Sequence, residues 1–310
     1  MAWHASERRL VDAICVSSII GIWPRFIEPR WVRQRHIELP LSGWQGRPFT
    51  ILHLSDLHWG PDALKGTLLR ALSKAAQTTP DLVLWTGDYL VDGQSHDLDT
   101  LRHLMGLCRG QFGTFASLGN HDYAQYVSCD GGPWVTKTDP SKLLRILRRL
   151  LKSKTEYSVK YAQEDHPELL RLLEEQGIEV LHNRSKQVLI DGHTLEIGAT
   201  GDLWAGQCKE LRPHTSASLL MCHNPDGLAG MEQHWSGVLA GHTHGRQVNI
   251  PGLALRLAQA RGPFTRGLYR LPEQRWVHVS SGLGCSLPFR FFSPPEMTWI
   301  RCIPSLPELP

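Results

Sequence analysis

The residues best able to do chemistry lie in five short blocks, and each block ends or follows a run that predicts a buried β-strand. Together the blocks supply carboxylate, imidazole and amide groups, the ligand types that divalent transition metals take from proteins. A single block of this kind is common by chance, whereas the ordered set at strand ends is specific. The blocks are Asp56-Leu57-His58, Gly87-Asp88, Gly119-Asn120-His121-Asp122, His223 and Gly241-His242-Thr243-His244.

The set predicts a centre that binds two divalent cations and hydrolyses a phosphoester. Two such cations about 3.5–4 Å apart can activate a water and neutralise charge during an in-line displacement. The centre needs one carboxylate that bridges both ions, and Asp88 is the predicted bridge. Asp56 and His58 are two residues apart, so on an extended strand their side chains share a face and can reach one ion. The remaining predicted ligands are Asn120, His223, His242 and His244.

His121 has a different predicted role from its neighbour Asn120. If Asn120 points at the metals, the ring of His121 projects towards the substrate. There it can stabilise developing negative charge or protonate the leaving oxygen. Asp122 is expected to orient this ring, so His121 and Asp122 are the predicted catalytic residues.

The elements that must position these blocks alternate between strands and helices in the first half of the chain. Strands are predicted at 49–54, 82–85 and 114–118, and helices at about 63–76 and 96–108. Later strands are shorter, and Asp191-Gly192 is a strong hairpin turn signal. A final hairpin over 267–280 precedes an irregular, Pro-rich tail. The pattern predicts an α/β fold of two facing mixed sheets flanked by helices, with the ligands on loops at one rim.

The composition is that of an ordinary globular protein. The chain has 310 residues, a formal net charge of +3 and seven cysteines. The cysteines include no Cys-x-x-Cys pair, which favours free thiols in a reducing compartment. The small net charge gives no reason to expect a nucleic-acid partner, and no protein partner is evident. We predict an N-terminal extension at 1–45 and one catalytic domain at 46–310.

An apolar run at residues 10–23 is the one candidate targeting segment. Its length of about 14 residues is short of the roughly 20 that a spanning helix needs, and it stops at Pro24. Arginines flank it on both sides, and Trp23, Phe26 and Trp31 lie near its end. This arrangement suits either a membrane interface or packing on the domain body.

A basic insertion at about 124–165 breaks the rhythm of strands and helices. Residues 137–160 contain eight lysines and arginines against Asp139 and Glu156, a net charge of +6. Leucines recur there at helical spacing between the basic residues, so a basic amphipathic helix is predicted. It is either a solvated face or part of a lid over an anionic, partly apolar substrate. The predicted substrate-binding arginines in it are Arg145, Arg148 and Arg149.

The five blocks resemble the signature of the calcineurin-like metallophosphoesterases, and the resemblance covers about residues 49–285. It implies a four-layer α/β/β/α sandwich with a dinuclear centre. One metal then takes Asp56, His58, Asp88 and His244, and the other takes Asp88, Asn120, His223 and His242. Imidazole and carboxylate ligands suit Mn, with Fe or Zn as alternatives.

Finer features resemble a bacterial branch of membrane-associated phosphoesterases. They are Glu28-Pro29-x-Trp31, Ser281-Gly282-Leu283-Gly284 and Pro294-Pro295-Glu296. The chain departs from that branch in its short N-terminal apolar run and in Arg246, where glycine is usual. Arg246 can clamp a second phosphate, or it can form a surface salt bridge.

One activity within this branch is cleavage of UDP-2,3-diacylglucosamine to UMP and 2,3-diacylglucosamine 1-phosphate in lipid A synthesis. The resemblance therefore implies an anionic nucleotide-lipid substrate and a place at the inner face of the cell membrane. Three alternatives stay open: a phosphodiesterase or phosphatase acting on another phospholipid or nucleotide, a nuclease, and a scaffold without metal.

Overall fold

A computed structural model describes residues 15–91, 97–124, 164–249, 262–286 and 288–305. Nearly all of the predicted basic insertion, with Arg145, Arg148 and Arg149, lies outside these ranges. The strands are β1 (Arg33–Leu41), β2 (Phe49–Leu54), β3 (Leu82–Thr86), β4 (Thr114–Ser117), β5 (Glu179–Val180), β6 (Arg184–Ile190), β7 (His193–Ala199), β8 (Ser218–Met221), β9 (Gly237–Ala240), β10 (Gly267–Arg270), β11 (Trp276–Val279) and β12 (Glu296–Pro304). The α-helices are α1 (Lys65–Ala75), α2 (Leu98–Gly106) and α3 (Pro167–Glu175), and a π-helix at Ser18–Ile27 precedes them.

The strands form two six-stranded mixed sheets, as predicted. The first has the order β1-β12-β2-β3-β4-β5 and the second β10-β11-β9-β8-β7-β6. Strands β2, β3, β4 and β5 run parallel to one another, as do β7, β8, β9 and β11. The turn at Asp191-Gly192 joins β6 to β7 in an antiparallel hairpin, which confirms that prediction.

Three apolar clusters show how the layers stack. Between the sheets, Ile51 and Leu84 pack with Leu219 and Leu239 from the other sheet. The alternate residues of β2 and β3 face α1, α2 and α3, because side chains on a strand alternate between its two faces. On the outer face of the second sheet, β8, β9 and β11 pack with the segment 228–235. The described residues thus form the predicted sandwich.

The C-terminal tail differs from the prediction of an irregular segment. Residues Glu296–Pro304 form β12, which pairs with β1 on one side and with β2 on the other. Prolines at 294 and 295 precede the strand and Pro304 ends it, so they flank the ladder without interrupting it. Strand β1 lies within the predicted N-terminal extension, and its pairing with β12 makes residues 33–41 part of the first sheet.

The N-terminal helix continues through Pro24, where the apolar run was expected to stop. The backbone N–H of Glu28 donates to the carbonyl of Trp23, and the π-helical turn carries the proline at its centre. Trp23 and Trp31 contact each other edge to face with ring centres 6.1 Å apart. No helix in the described ranges has both the length and the apolar character needed to span a bilayer.

Asp81 ties the start of β3 to two neighbouring segments. Its carboxylate accepts from the backbone N–H of Thr50 at 2.6 Å, the Thr50 hydroxyl at 2.9 Å and the Arg47 guanidinium at 2.7 Å. Burial opposes the charged form, but the bonds from Arg47 and Thr50 lower the pKa of Asp81 overall. Because the folded-state pKa is depressed, this stabilisation is present at neutral pH and is lost as the pH falls through the folded value.

We therefore expect Asp81→Asn to lower the free energy of unfolding by about 1–3 kcal/mol at pH 7, since it weakens the bond to Arg47 and leaves Thr50 poorly paired. The difference from wild type should shrink as the pH falls below about 4, because the unfolded carboxylate is protonated first and the folded one only at its lowered pKa. Urea denaturation at pH 7 and at a pH below about 4 measures this difference in the free energy of unfolding. The control Asp99→Asn, at an exposed ion pair with Arg102, should leave the midpoint unchanged. Equal effects of the two substitutions would contradict the assignment.

Candidate metal centre

The predicted ligands meet at one rim of the sandwich because the strands that precede them run parallel. Asp56 follows β2, Asp88 follows β3 and Asn120 follows β4 in the first sheet. His223 follows β8 and His242 follows β9 in the second. Carboxyl ends of parallel strands share one edge of a sheet. The predicted ligands Asp56, His58, Asp88, Asn120, His223 and His242 are each at most 5% exposed.

The conformation of the loops brings the predicted ligands together. Asp56 and His58 do not converge through the alternation of side chains along a strand, as was predicted. Strand β2 ends at Leu54, so Asp56 and His58 lie beyond it. Tight loops follow the strands, and five predicted ligands in these loops have left-handed backbone conformations. Each such residue costs about 1 kcal/mol or more, which is typical of functional sites. The φ angles are 53° at Asp56, 47° at His58, 57° at Asp88, 68° at His242 and 48° at His244.

One oxygen of Asp88 lies at the middle of the site. Its Oδ2 atom is 3.4 Å from Nε2 of His58 and 3.3 Å from Nε2 of His223. Nε2 of His121 lies 3.9 Å from the same oxygen. These imidazoles come from loops of both sheets, a placement compatible with the predicted bridging role of Asp88, which stays a prediction.

A second carboxylate, Asp56, lies on one side of this arrangement. Its Oδ1 atom is 3.7 Å from Nε2 of His244 and 3.9 Å from Nε2 of His58. The two imidazole Nε2 atoms are 3.0 Å apart. The Ser55 hydroxyl donates to Oδ2 of Asp56 at 2.5 Å, and the backbone N–H of His242 donates to both oxygens.

The ligand atoms form three overlapping groups, within each of which they lie within 4.8 Å of one another. His58 is shared by the first two groups and Asp88 by the last two. Two groups each contain three of the four ligands predicted for one metal, and the other group adds His121 to His58 and Asp88. The groups are Asp56, His58 and His244; His58, Asp88 and His121; and Asp88, His223 and His242.

The hydrogen bonds of the imidazoles leave ring nitrogens available for cations. Nδ1 of His223 lies 2.5 Å from the Thr86 carbonyl oxygen and donates to it, so Nε2, 3.3 Å from Oδ2 of Asp88, is the nitrogen available to a cation. Both ring nitrogens of His242 are buried and have no hydrogen-bond partner among the described residues. A ring nitrogen that faces a carboxylate, and a buried ring with unused nitrogens, both fit a bound cation.

The charges at the site also fit metal binding. Burial lowers the pKa of His58, His242 and His244 well below the usual range, to about 3 for His244, and keeps these rings in the neutral form that binds metals. Burial alone would raise the pKa of Asp88, but the charges of His223 and His121 hold it well below the usual range. Burial alone would lower the pKa of His223, but the charge of Asp88 raises it well above the usual range, so a cation bound there would take the place of a proton. An ionised Asp88 beside the neutral rings of His58 and His242 can bind divalent cations.

Asn120 lies in the turn that follows β4 and is 1% exposed. The backbone N–H groups on either side of it are engaged by the site: Gly119 donates to Oδ2 of Asp122 at 2.8 Å, and His121 donates to Oδ1 of Asp88 at 3.0 Å. These bonds fix the turn that carries Asn120 against the Asp88 loop. Its role as a ligand stays a prediction.

Asp122 has a different environment from the one predicted for it. Its carboxylate accepts backbone N–H groups from Asp88 at 2.6 Å, Tyr89 at 2.7 Å and Gly119 at 2.8 Å. The carboxylate therefore joins the loop after β4 to the loop after β3. Asp122 was predicted to form a hydrogen bond to the His121 ring. Nδ1 of that ring instead contacts the carbonyl oxygen of Val91. Asp122 positions Asp88 through the backbone.

His121 lies at the mouth of the site with 8% of its surface exposed. Its ring packs edge to face against His58 with centres 4.7 Å apart. Because Nδ1 donates to the Val91 carbonyl, Nε2 is the atom left to face Asp88 and the interior of the site. This placement is compatible with the predicted catalytic role of His121.

Two glycines that sequence reasoning left without a role allow the backbone to approach the carboxylates. A methyl group at Gly119 would overlap Oδ1 of Asp88 and lie 2.8 Å from Cε1 of His223. A methyl group at Gly241 would overlap the Ser55 hydroxyl and Oδ2 of Asp56. Each glycine directly precedes a predicted ligand in its block, and this position is the sequence feature from which its role could have been predicted.

The loop Ser281–Gly284 packs on the backbone of the first block, which sequence reasoning did not foresee. The N–H of Leu283 donates to the Ser55 carbonyl at 2.9 Å, and that of Gly284 to the Asp56 carbonyl at 2.7 Å. The fully buried Arg290 supports this loop, because its Nη2 atom donates to the Gly284 carbonyl at 2.6 Å. The same atom lies 3.4 Å from Nδ1 of His244.

The N-terminal segment also reaches the site through a buried carboxylate. Glu28 accepts the backbone N–H of Ser293 at 2.5 Å and of Phe292 at 3.1 Å. The Ser293 hydroxyl in turn donates to the carbonyl of His244 at 2.8 Å and of Gly245 at 3.0 Å. A chain of bonds therefore connects residue 28 to the backbone of a predicted ligand.

Arg246 follows the last block in a left-handed conformation, with φ of 69°. Burial would raise the pKa of Tyr269, but bonds from Thr265 and Arg266 and the charge of Arg246 lower it overall. The predicted role of Arg246 in binding substrate, like that of the arginines in the insertion, stays a prediction.

We expect Gly119→Ala to reduce the content of bound divalent metal, because the added methyl group must displace the carboxylate of Asp88. Inductively coupled plasma mass spectrometry of purified protein measures the metal per chain. Gly66→Ala is the matched control, since a methyl group there lies 3.4 Å from an atom of a flexible arginine on α1. Wild-type metal content in Gly119→Ala would contradict the proposed close approach.

Comparison with known proteins agrees with this geometry. The sequence model of the calcineurin-like phosphoesterase family matches residues 49–246. UDP-2,3-diacylglucosamine pyrophosphatase LpxG of Chlamydia muridarum is 29% identical over 95% of this chain and 96% of its own length. Phosphodiesterase YaeI of Escherichia coli K12 is 27% identical over 96% of this chain and 99% of its own length. The chain belongs to the calcineurin-like phosphoesterase family and is a metal-dependent phosphoester hydrolase.

Proposed function

We propose that the chain cleaves the pyrophosphate of UDP-2,3-diacylglucosamine, giving UMP and 2,3-diacylglucosamine 1-phosphate in lipid A synthesis. The observation that carries the hydrolytic part is the convergence of imidazoles from both sheets on one oxygen of Asp88. The substrate rests on similarity along nearly the whole chain to LpxG of two Chlamydia species, both called UDP-2,3-diacylglucosamine pyrophosphatases.

The proposed ligands form two sets that share the Asp88 carboxylate. Two divalent cations, Mn or alternatively Fe or Zn, would neutralise phosphoryl oxygens and lower the pKa of a water. The loops after β2, β3 and β9 supply the first set, and those after β3, β4, β8 and β9 the second. The first set is Asp56, His58, Asp88 and His244, and the second is Asp88, Asn120, His223 and His242.

His121 is the proposed proton donor for the leaving group. Its Nδ1 atom is bound to the Val91 carbonyl, so the mobile proton is the one at Nε2. That atom lies 3.9 Å from Oδ2 of Asp88, beside the place where a phosphoryl group would bind. A proton held there can pass to the departing oxygen as negative charge develops on it.

Selectivity for a lipid substrate needs cationic and apolar surface outside the metal centre. Arg246 and the insertion arginines Arg145, Arg148 and Arg149 are the proposed contacts for a second phosphate. Exposed apolar side chains at Ile19, Ile22 and Phe26 support a position at the inner face of the cell membrane.

A second candidate is a phosphodiesterase that acts on another phospholipid or nucleotide. The similarity to YaeI, called a phosphodiesterase, favours it. The metal centre treats the phosphoryl group of either substrate alike, so only the products discriminate between the two candidates.

The test is a Mn²⁺-supplemented assay of purified protein on UDP-2,3-diacylglucosamine in detergent, with products identified by mass spectrometry. We expect UMP and the lipid 1-phosphate. His121→Ala should keep its bound metal and lose turnover by roughly 10²–10⁴-fold, the usual scale of acid–base catalysis. This variant also controls for contaminating hydrolases.

Two outcomes would contradict the proposal in different ways. Cleavage of an aryl phosphodiester without turnover of the nucleotide-lipid would reject the substrate and favour the second candidate. Loss of bound metal in His121→Ala would make His121 a ligand, in line with its presence in one of the three groups.

A further inference from the structure

A cleft on the edge of the first sheet carries an unusual concentration of positive charge. It encloses about 460 Å³ and lies where the N-terminal segment enters β1. We call it the arginine cleft. Its lining residues are Trp31, Val32, Arg33, Gln34, Arg35, Arg266 and Glu296.

The three arginines of the cleft have little negative charge to balance them. None forms an ion pair within 4.0 Å of a carboxylate in the described part of the chain. Glu296 is 5% exposed and its Oε1 atom accepts the N–H of Ser281 at 2.9 Å. By contrast, six other arginines each contact a carboxylate: Arg47, Arg102, Arg184, Arg212, Arg275 and Arg301.

The backbone places the three guanidinium groups around one opening. Arg33 and Arg35 are alternate residues of β1 and share a face of that strand. The Arg33 guanidinium lies over the Trp31 ring, 4.9 Å from its centre. Arg266 enters from the loop before β10, and its Nη1 atom donates to the Phe292 carbonyl at 2.8 Å.

The like charges act on one another across the cleft. Burial lowers the pKa of Arg266, and the charges of Arg33 and Arg35 lower it further, against the opposing charge of Glu296. Because the positive charges of the three arginines repel one another, a bound anion would stabilise them. Guanidinium groups match phosphate oxygens in geometry and charge, so a phosphate group is the ligand that complements the cleft.

An apolar surface lies beside this cleft. Six of the nine large apolar side chains that are most exposed in the described residues belong to the segment 15–31. Trp31, 50% exposed, belongs to both the apolar surface and the cleft. The six are Val16, Ile19, Ile22, Phe26, Ile27 and Trp31. A phosphate site bordered by exposed apolar groups has the chemistry of a phospholipid headgroup at an interface.

The apolar surface and the cleft are fixed relative to each other. Glu28 accepts Trp23 Nε1–H at 2.7 Å and the backbone of Ser293 at 2.5 Å, which holds the helix to the domain body. Arg290 donates its backbone N–H to the Pro24 carbonyl at 2.8 Å. The two features therefore keep a fixed relative position, as a common contact with one membrane surface requires.

We propose that the arginine cleft binds the phosphate of an anionic phospholipid while the apolar surface of segment 15–31 rests on the same membrane. None of the residues that line the cleft is a proposed metal ligand. The inference rests on the proposed membrane contact and is independent of the identity of the hydrolysed substrate.

The test measures partitioning of the full-length protein onto phosphatidylcholine vesicles with and without phosphatidylglycerol, by co-sedimentation. We expect wild type to prefer the anionic vesicles and Arg33→Gln/Arg35→Gln to bind them roughly tenfold to thirtyfold more weakly, from the loss of two interfacial charges. Arg102→Gln/Arg184→Gln is the control, because it removes the same charge from ion-paired surface positions. Unchanged thermal unfolding midpoints show that the variants are folded.

Other outcomes would overturn the proposal and show which part is wrong. If wild type binds neither kind of vesicle, the membrane contact itself is wrong; Ile19→Asp/Ile22→Asp should abolish binding to both kinds if that contact exists. Equal losses in the cleft variant and the control would mean general charge attraction without a site. A cleft variant that loses binding of inorganic phosphate in calorimetry but keeps its vesicle binding would make the cleft a site for a free anion.

Discussion

The structure depends on one buried carboxylate, Asp88, which imidazoles approach from both sheets. The nearest are Nε2 of His58 at 3.4 Å and Nε2 of His223 at 3.3 Å from its Oδ2 atom. Without a cation, the buried carboxylate is balanced only by protons on neighbouring imidazoles such as His223, and burying charge is costly. Two bound cations would supply that balance and would let the neutral rings act as ligands. The surrounding loops can be understood as the means of keeping the ligands at these distances.

The cost of that arrangement is met by the packing around it. Five ligands in left-handed conformations store about 5 kcal/mol or more, a large part of the 5–15 kcal/mol by which a domain is stable. Such strain persists only when neighbouring groups fix each loop. Asp122 binds the Asp88 loop through its backbone, and Ser55 and the loop 281–284 hold the Asp56 block. Arg290 and Ser293 do the same for the block that ends in His244.

The sequence predicted the composition of the site better than the means of its assembly. The five blocks contain all seven residues of the three potential metal-binding groups, because residue type and order determine which ligands are available. They did not indicate Arg290, whose Nη2 atom lies 3.4 Å from Nδ1 of His244. The predicted alternation of Asp56 and His58 on a strand was wrong, because the chain leaves the strand at Leu54 and reaches the same convergence through left-handed turns. Asp122 was expected to orient His121, yet it binds backbone N–H groups, which no side-chain pattern reveals. Strand β12 was missed for a similar reason, since prolines at its ends concealed a pairing that depends on distant β1 and β2.

Asp88 is the proposed bridge between two ions, and the number of bound metal ions per chain tests this role most directly. Purified wild type, dialysed against Mn²⁺ and analysed by mass spectrometry of its metals, should carry two ions per chain. Asp88→Asn removes the charge while keeping the shape of the side chain, so it should carry at most one ion. The surface variant Glu38→Gln, at an exposed ion pair with Arg301, should carry two. Two ions in Asp88→Asn, or fewer than two in wild type, would contradict a centre bridged by Asp88.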